Sequence, residues 1–416
     1  MVSVDPTGVL VVDGAKLFPL GVSNPPPLGG KTPEGKDAFG ELETSGVSLM
    51  RIGRGDWSLA QIDAQLAETT QQLDAAHAHG LFCWLWLGDV PVLSGPDATT
   101  NEQLLRKIVP AVKGHPGLGA YKGIDEPHNP FRPGPVDPKG MKKAFDLIRQ
   151  LDPAHPLVIT HEPISSAASL KPYTTACDIT GADIYPVSYP PGTHAQTANK
   201  DISVVGDITK KLKQVAGTKP VWMTLQIAWS GVTPTRPHPN VVPRFPTLLE
   251  ERFMAYQAIA SGASGLFFFG GHLTQVMRPI DAGTGWNWTF WRLVLKSLLT
   301  ELTSTAVQPA LVAPAGPRVT ASSGDVEVAT RRSDGFLYVI AVRRGGSTTR
   351  VTFSGLPRKS DGTPIRGGQA LFEYTQAPLP PPTDPGGQQF RSVAASGGTF
   401  RDWLGPHDAR VYRFGV

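Results

Sequence analysis

Short apolar runs alternate with longer amphipathic stretches along the first three hundred residues. The runs are Phe18-Val22, Ser48-Gly53, Leu81-Leu87, Leu118-Ile124, Leu157-His161, Ile179-Tyr185, Val221-Gln226 and Gly265-Phe269. Each is short and mostly apolar, the pattern of parallel strands covered on both faces. The stretches between them read as helices. From Leu59 to His79, the residues Leu59, Ile62, Leu66, Thr69, Leu73 and Ala76 fall on one face, and Gly80 marks the stop. Asn101–Val112, Lys139–Leu151, Ser203–Ala216, Thr247–Ser261 and Trp288–Leu302 follow the same logic, while Asp37–Thr44 and Ser165–Thr175 are weaker.

Eight strand–helix repeats over this length predict an α/β fold, a (β/α)₈ TIM barrel with some long loops. A doubly wound open sheet would normally carry a glycine-rich phosphate loop after its first strand. Here that place holds Ser23-Asn24-Pro25-Pro26-Pro27. Beyond about Thr305 the pattern changes to period two. Val326-Ala329, Leu337-Val342, Thr349-Phe353, Ala370-Tyr374 and Arg410-Phe414 are separated by Gly, Pro and Asp turns. The expected division is a barrel over 1–304 and a small antiparallel β-sandwich over 305–416. The sandwich reads first as a packed stability element.

Composition narrows the function. The 416 residues are 40% hydrophobic and 18% charged, enough for a sizeable core and against disorder. The 45 glycines and 40 prolines fall at segment boundaries as turn punctuation. The net charge of +4 comes from scattered Lys and Arg. The densest cluster, Lys210-Lys211-Lys213, sits on one helix as a solvated face, so no nucleic-acid partner is expected. No apolar run is long enough to span a membrane. Cys83 and Cys177 read as buried free thiols, and no metal or other cofactor is expected. The opening, MVSVDPTGVLVVDG, is already strand-like. That leaves open both a secreted protein whose signal peptide is absent from this chain and a cytoplasmic one. A monomer or weak homo-oligomer is expected.

The strand ends carry the chemistry. They present Asn24, Arg51 and Arg54, Asp89, Asp125-Glu126, His161-Glu162, Asp183 with Tyr185, Gln226 with Trp229, and His272. The opposite ends are ordinary: Pro156, Pro220, Ala263. In a TIM barrel the first set lines the active-site rim. The adjacent carboxylates of Asp125 and Glu126 repel, so one pKa should rise, as a general acid requires. Trp57, Trp86, Tyr185, Tyr189, Trp229, Trp286 and Trp288 lie at or after strand ends and suit the stacking of sugar rings, whereas Trp84, mid-strand, reads as core. A proline-rich loop from Gly231 to Pro246 holds Arg236, His238 and Arg244 and reads as a lid.

With these residues in place, the chain resembles the clan A glycoside hydrolases, whose fourth strand ends in Asn-Glu with the Glu as acid/base. The resemblance rests on Asp125-Glu126, on Arg51, and on the Gly262–Gly270 strand that follows Phe253-Met254-Ala255-Tyr256-Gln257-Ala258. It implies Glu126 as general acid and a carbohydrate substrate. It also implies a nucleophilic Glu at the end of strand seven, where this chain has Gln226. The second catalytic carboxylate is therefore expected to be Glu162 or Asp183, with Arg51, Asp89, Asp125, His161, Tyr185, Gln226, Trp229, Trp86 and His272 as substrate contacts. Two rival readings are a glycan-binding barrel that no longer cleaves, and a metal-dependent hydrolase using Asp89, His161, Asp183 and His272. The second lacks the His-x-His expected on strand one.

Overall fold

The computed structural model describes residues 2–129, 132–189, 197–228, 239–240, 242, 244–373 and 390–416. They form two compact units, Met1–Phe245 with Ala263–Trp291, and Pro246–Gly262 with Arg292–Val416.

The first unit holds a closed barrel of eight parallel strands in chain order. They are β1 (Leu20–Val22), β2 (Leu49–Gly53), β3 (Phe82–Trp86), β4 (Leu118–Asp125), β5 (Leu157–His161), β6 (Ile179–Asp183), β7 (Val221–Gln226) and β8 (Gly265–Phe269). Pairing of Leu266 with Leu20 closes the ring between β8 and β1. Seven strands fall within the expected apolar runs, and β4 extends one residue beyond its run, to Asp125. Local chemistry starts the helices between them. Asp37 caps Ala38–Thr44 by accepting from Gly40 N–H, and Asp137 caps Pro138–Leu151 with proline at the first position. In Ile62–Ala78 the buried residues include Gln65, whose side-chain amide bonds the backbone of Ser58 and Asp56.

A three-stranded antiparallel sheet (Val2–Val4, Leu10–Val12, Ala15–Leu17) precedes the barrel. Its Val2, Leu10 and Val12 share a buried cluster with Leu49, Trp84, Val158, Trp222 and Phe267. Within that core Trp84 lies 4.6 Å from Phe267 between ring centroids, and Trp222 lies 5.2 Å from it. Phe267 fills space that Gly21 leaves free, since a Cβ there would stand 2.3 Å from the Phe267 ring. Both cysteines are free and buried.

The second unit is an antiparallel sandwich. Its strands are β9 (Thr320–Ala321), β10 (Val326–Ser333), β11 (Phe336–Arg343), β12 (Thr349–Ser354), β13 (Gly367–Leu371), β14 (Arg391–Ser396), β15 (Thr399–Leu404) and β16 (Ala409–Gly415). The order is β9-β12-β15-β14-β13-β16-β11-β10. Strand β14 joins the two halves: residues Arg391–Ala394 pair with β13, and Ala395–Ser396 pair with β15. Phe353, Phe400, Tyr412 and Phe414 stack in its core. Helix Leu248–Ala260 groups with this unit. Its buried Arg252 bonds the Glu301 carboxylate and the Ala409 carbonyl, and Tyr256 donates to the same carboxylate at 2.7 Å. Glu250 and Thr247 form the capping box that starts this helix.

Candidate active site

A cavity of about 220 Å³ opens at the C-terminal ends of the barrel strands. Every strand contributes to it: Ser23 after β1, Arg51, Trp84, Lys122 with Asp125 and Glu126, Thr160, Asp183 with Tyr185, Thr224, and Phe269.

A β-bulge builds its charged wall. Against β5, Lys122 pairs with Val158 and Asp125 with Thr160, so β4 uses three steps where its partner uses two. The extra residue reverses the alternation. Ile124 packs into the helix layer with Met141 and Tyr173. Lys122 and Asp125, three apart, both face the cavity, where Lys122 donates to Asp125. Lys122 is 2% exposed and lies over the Trp84 ring at 5.3 Å. A lysine in an otherwise apolar strand was the one sequence signal for this residue, because a fully buried lysine needs a partner.

Burial favours protonation of Asp125, but the cations of Lys122 and Arg51 outweigh it and hold the carboxyl below its ordinary range. Glu126 goes the other way. Burial and the Asp125 charge raise its pKa, against hydrogen bonds from Asn129 and Asp183. Asp183 is raised well above the ordinary value by burial and by the charges of Glu126 and Asp125, opposed by Lys122 and by the Tyr185 hydroxyl. Glu126 and Asp183 both line the cavity and each shifts the other's pKa, so they titrate as a pair.

Glu126 also stands in the left-handed backbone region, at φ 48°. This is an uncommon conformation for a side chain with a Cβ. Its N–H donates to the Thr160 carbonyl at 2.8 Å and its own carbonyl accepts from Asn129 N–H. Arg132 clamps the turn: its guanidinium bonds the carbonyls of Glu126 at 3.1 Å and Asp125 at 2.8 Å, and reaches Asp89 at 3.1 Å. Neither Asn129 nor Arg132 stood out in the sequence, because their roles depend on a turn that no residue pattern marks.

The remaining strand-end residues sort by where they point. Arg51 lines the cavity, donates to Asn24 at 2.8 Å and lies over the Trp86 ring at 4.9 Å. Asp183 and Tyr185 line it together. Glu162 and His161 do not. His161 is fully buried against Tyr173 in the helix layer, with ring centroids 6.0 Å apart, and burial lowers its pKa to about 3. Glu162 is 3% exposed, and neither of its oxygens has a hydrogen-bond partner among the described residues. His272 packs edge-on against Phe269, its pKa lowered to about 4 by burial and Arg51. Asp89 is exposed and pairs with Arg132.

Gln226 is wholly buried, and its amide is used up on one residue. Its Oε1 accepts from Val187 N–H at 2.9 Å and its Nε2 donates to the Val187 carbonyl at 2.6 Å. A carboxylate could accept the first bond but not donate the second, so the amide at this strand end is a backbone clamp. Of the aromatic residues at the rim, Trp57, Trp286 and Trp288 are buried, while Tyr189 is 55% exposed. Trp286, Trp288 and Trp291 pack on one another. Trp84 is buried as a core residue and also lines the cavity. Trp229, Arg236 and His238 lie outside the described residues. Among the described residues no group of three or more His, Cys, Asp or Glu is placed to hold a metal. No helix among them is long and apolar enough to cross a membrane.

The chain matches no known family model and no curated protein. Solved structures do match. A glycoside hydrolase family 5 protein from Bacteroides vulgatus is 10% identical, with 100% of this chain and 93% of that one covered at TM-score 0.60. A GH30 endoxylanase from Clostridium papyrosolvens is 12% identical, with 97% of each chain covered at TM-score 0.53. A family 39 glycoside hydrolase from Bacteroides cellulosilyticus is 11% identical, with 99% and 82% covered at TM-score 0.53. The fold is thus the barrel-plus-sandwich architecture of these glycoside hydrolases.

Proposed function

We propose that the chain is a glycoside hydrolase in which Glu126 is the general acid and Asp183 the second catalytic carboxylate. The observation that carries this reading is that Glu126 and Asp183 line the same central cavity, each with its pKa pushed upward by burial and by the charge of neighbouring carboxylates. Such a pair keeps a proton near neutral pH for donation to a leaving oxygen. Asp125, held ionised by Lys122 and Arg51, supplies the fixed negative charge that an oxocarbenium-like transition state favours.

In this mechanism Glu126 protonates the glycosidic oxygen as the bond to the anomeric carbon breaks. With the pair's shared proton on Glu126, the Asp183 carboxylate attacks that carbon, and water then releases the sugar as Glu126 takes back a proton. Two successive displacements at the anomeric carbon make retention of configuration the expected outcome. The barrel that binds without cleaving draws its support from Gln226, and the clamp on Val187 accounts for that amide without any loss of function. A screen of aryl glycosides and natural glycans with wild type, Glu126→Gln and Asp183→Asn tests the proposal. Cleavage of at least one substrate, abolished in both variants with the fold intact, is expected. Full activity in either variant defeats the assignment.

A further inference from the structure

The sandwich unit carries a second concavity, unrelated to the barrel cavity. It is a groove of about 800 Å³ lined by Leu249, Glu250, Thr348, Trp403, His407 and Arg410, among others. Trp403 alternates outward on β15, between inward Asp402 and Leu404, and is 59% exposed. Leu249, on the first turn of helix Leu248–Ala260, is 57% exposed. Large apolar side chains left open in a groove lose hydrophobic stabilisation that burial elsewhere would give, so they mark a binding surface more often than packing.

We propose that this groove binds an uncharged polysaccharide chain, with the Trp403 indole as its stacking platform. Three features select that ligand. An indole face offers a flat apolar surface to the C–H face of a sugar ring, while the groove's polar groups meet its hydroxyls. The acids Glu250 and Asp408 stand against the cation Arg410, so the lining has no single sign that would favour a polyanion or a basic peptide. Thr348 in the lining adds a hydroxyl that can both donate to and accept from sugar hydroxyls. With about 800 Å³ against about 220 Å³ in the barrel, the groove takes several sugar rings. The choice of a polysaccharide rests on the glycosidase reading. The sandwich, read from sequence as a packed stability element, thereby gains a substrate-holding role.

Affinity electrophoresis of the full chain tests this, in native gels holding a soluble xylan, a mixed-linkage β-glucan, an α-glucan or a polyuronate. Wild type, Glu126→Gln, Trp403→Ala and Trp403→Tyr are compared. Retardation of wild type and Glu126→Gln by a neutral polymer is expected. Trp403→Ala should weaken it about tenfold, the loss of one stacking face, and Trp403→Tyr should restore part of it. Hydrolysis of a small aryl glycoside should be the same in Trp403→Ala and wild type. Trp403-dependent retardation without any hydrolysis supports the groove and sinks the glycosidase reading instead. Equal retardation of Trp403→Ala and wild type, no retardation by any of the four polymers, or retardation by the polyuronate alone overturns the proposal.

Discussion

Replacing Lys122 with methionine removes the buried cation that donates to Asp125. Breaking a fully buried ion pair by deleting one partner costs about 3–5 kcal/mol, because the other charge is left without compensation. Lys122 is 2% exposed, but the Asp125 side chain is 41% exposed, and Arg51 remains nearby. Water and Arg51 therefore offset part of the penalty, and a loss of about 2–3 kcal/mol is expected. For a unit of this size that lowers Tm by about 3–5 °C. The pH dependence has a definite sign. Lys122 depresses the Asp125 pKa in the folded state, so the pair's contribution is present above the ordinary Asp pKa and fades as pH falls through the folded value. The gap between Lys122→Met and wild type should accordingly narrow in acid. Thermal unfolding by circular dichroism from pH 3 to 8 reads both effects. The double variant Lys122→Met/Asp125→Leu, which removes both charges, should recover most of the loss. If the double variant is no more stable than the single one, or the gap widens in acid, the pairing argument is refuted.

Three further outcomes follow from the same geometry. Tyr185→Phe removes a hydrogen bond that lowers the Asp183 pKa, so the acidic limb of the kcat/KM profile should move to higher pH, while an unmoved limb excludes Asp183 from that titration. Glu251 is fully buried with both oxygens unpartnered among the described residues, and burial raises its pKa well above the ordinary value. Its cost therefore appears as pH rises past the unfolded pKa, and Glu251→Met should add about 1–2 kcal/mol of stability at pH 8 but little at pH 4, by chemical denaturation. Arg132→Met should reduce kcat about 10–100-fold with KM and Tm little changed, since it frees the carbonyls that fix the left-handed Glu126.

Much of the barrel was legible because parallel strands buried on both faces are written as short apolar runs, and all eight strands coincide with those runs, β4 overrunning its own by Asp125. In the sandwich, Arg391–Ser396 and Thr399–Leu404 escaped notice. Their inward positions include Asp402, a polar residue made tolerable by the Tyr412 hydroxyl at 2.8 Å and by Arg391. The site was less legible than the strands. A strict two-residue alternation places Lys122 and Ile124 on the same side, and only the bulge brings Asp125 beside Lys122. Glu126 and Glu162 share an acid-then-proline sequence, yet only Glu126 lines the cavity, because the positive φ turns it inward. Gln226 looked like a vacant nucleophile position until its two bonds to Val187 were visible.

The most direct measurement is the leaving-group dependence of Glu126→Gln on aryl glycosides of the sugar that wild type cleaves. If Glu126 delivers the proton, substrates with poor leaving groups should slow about 10²–10⁴-fold, while those with strongly acidic phenols, which depart without protonation, should keep most of their rate of bond cleavage. An equal loss across the series, or none, contradicts the assignment of Glu126 as the acid.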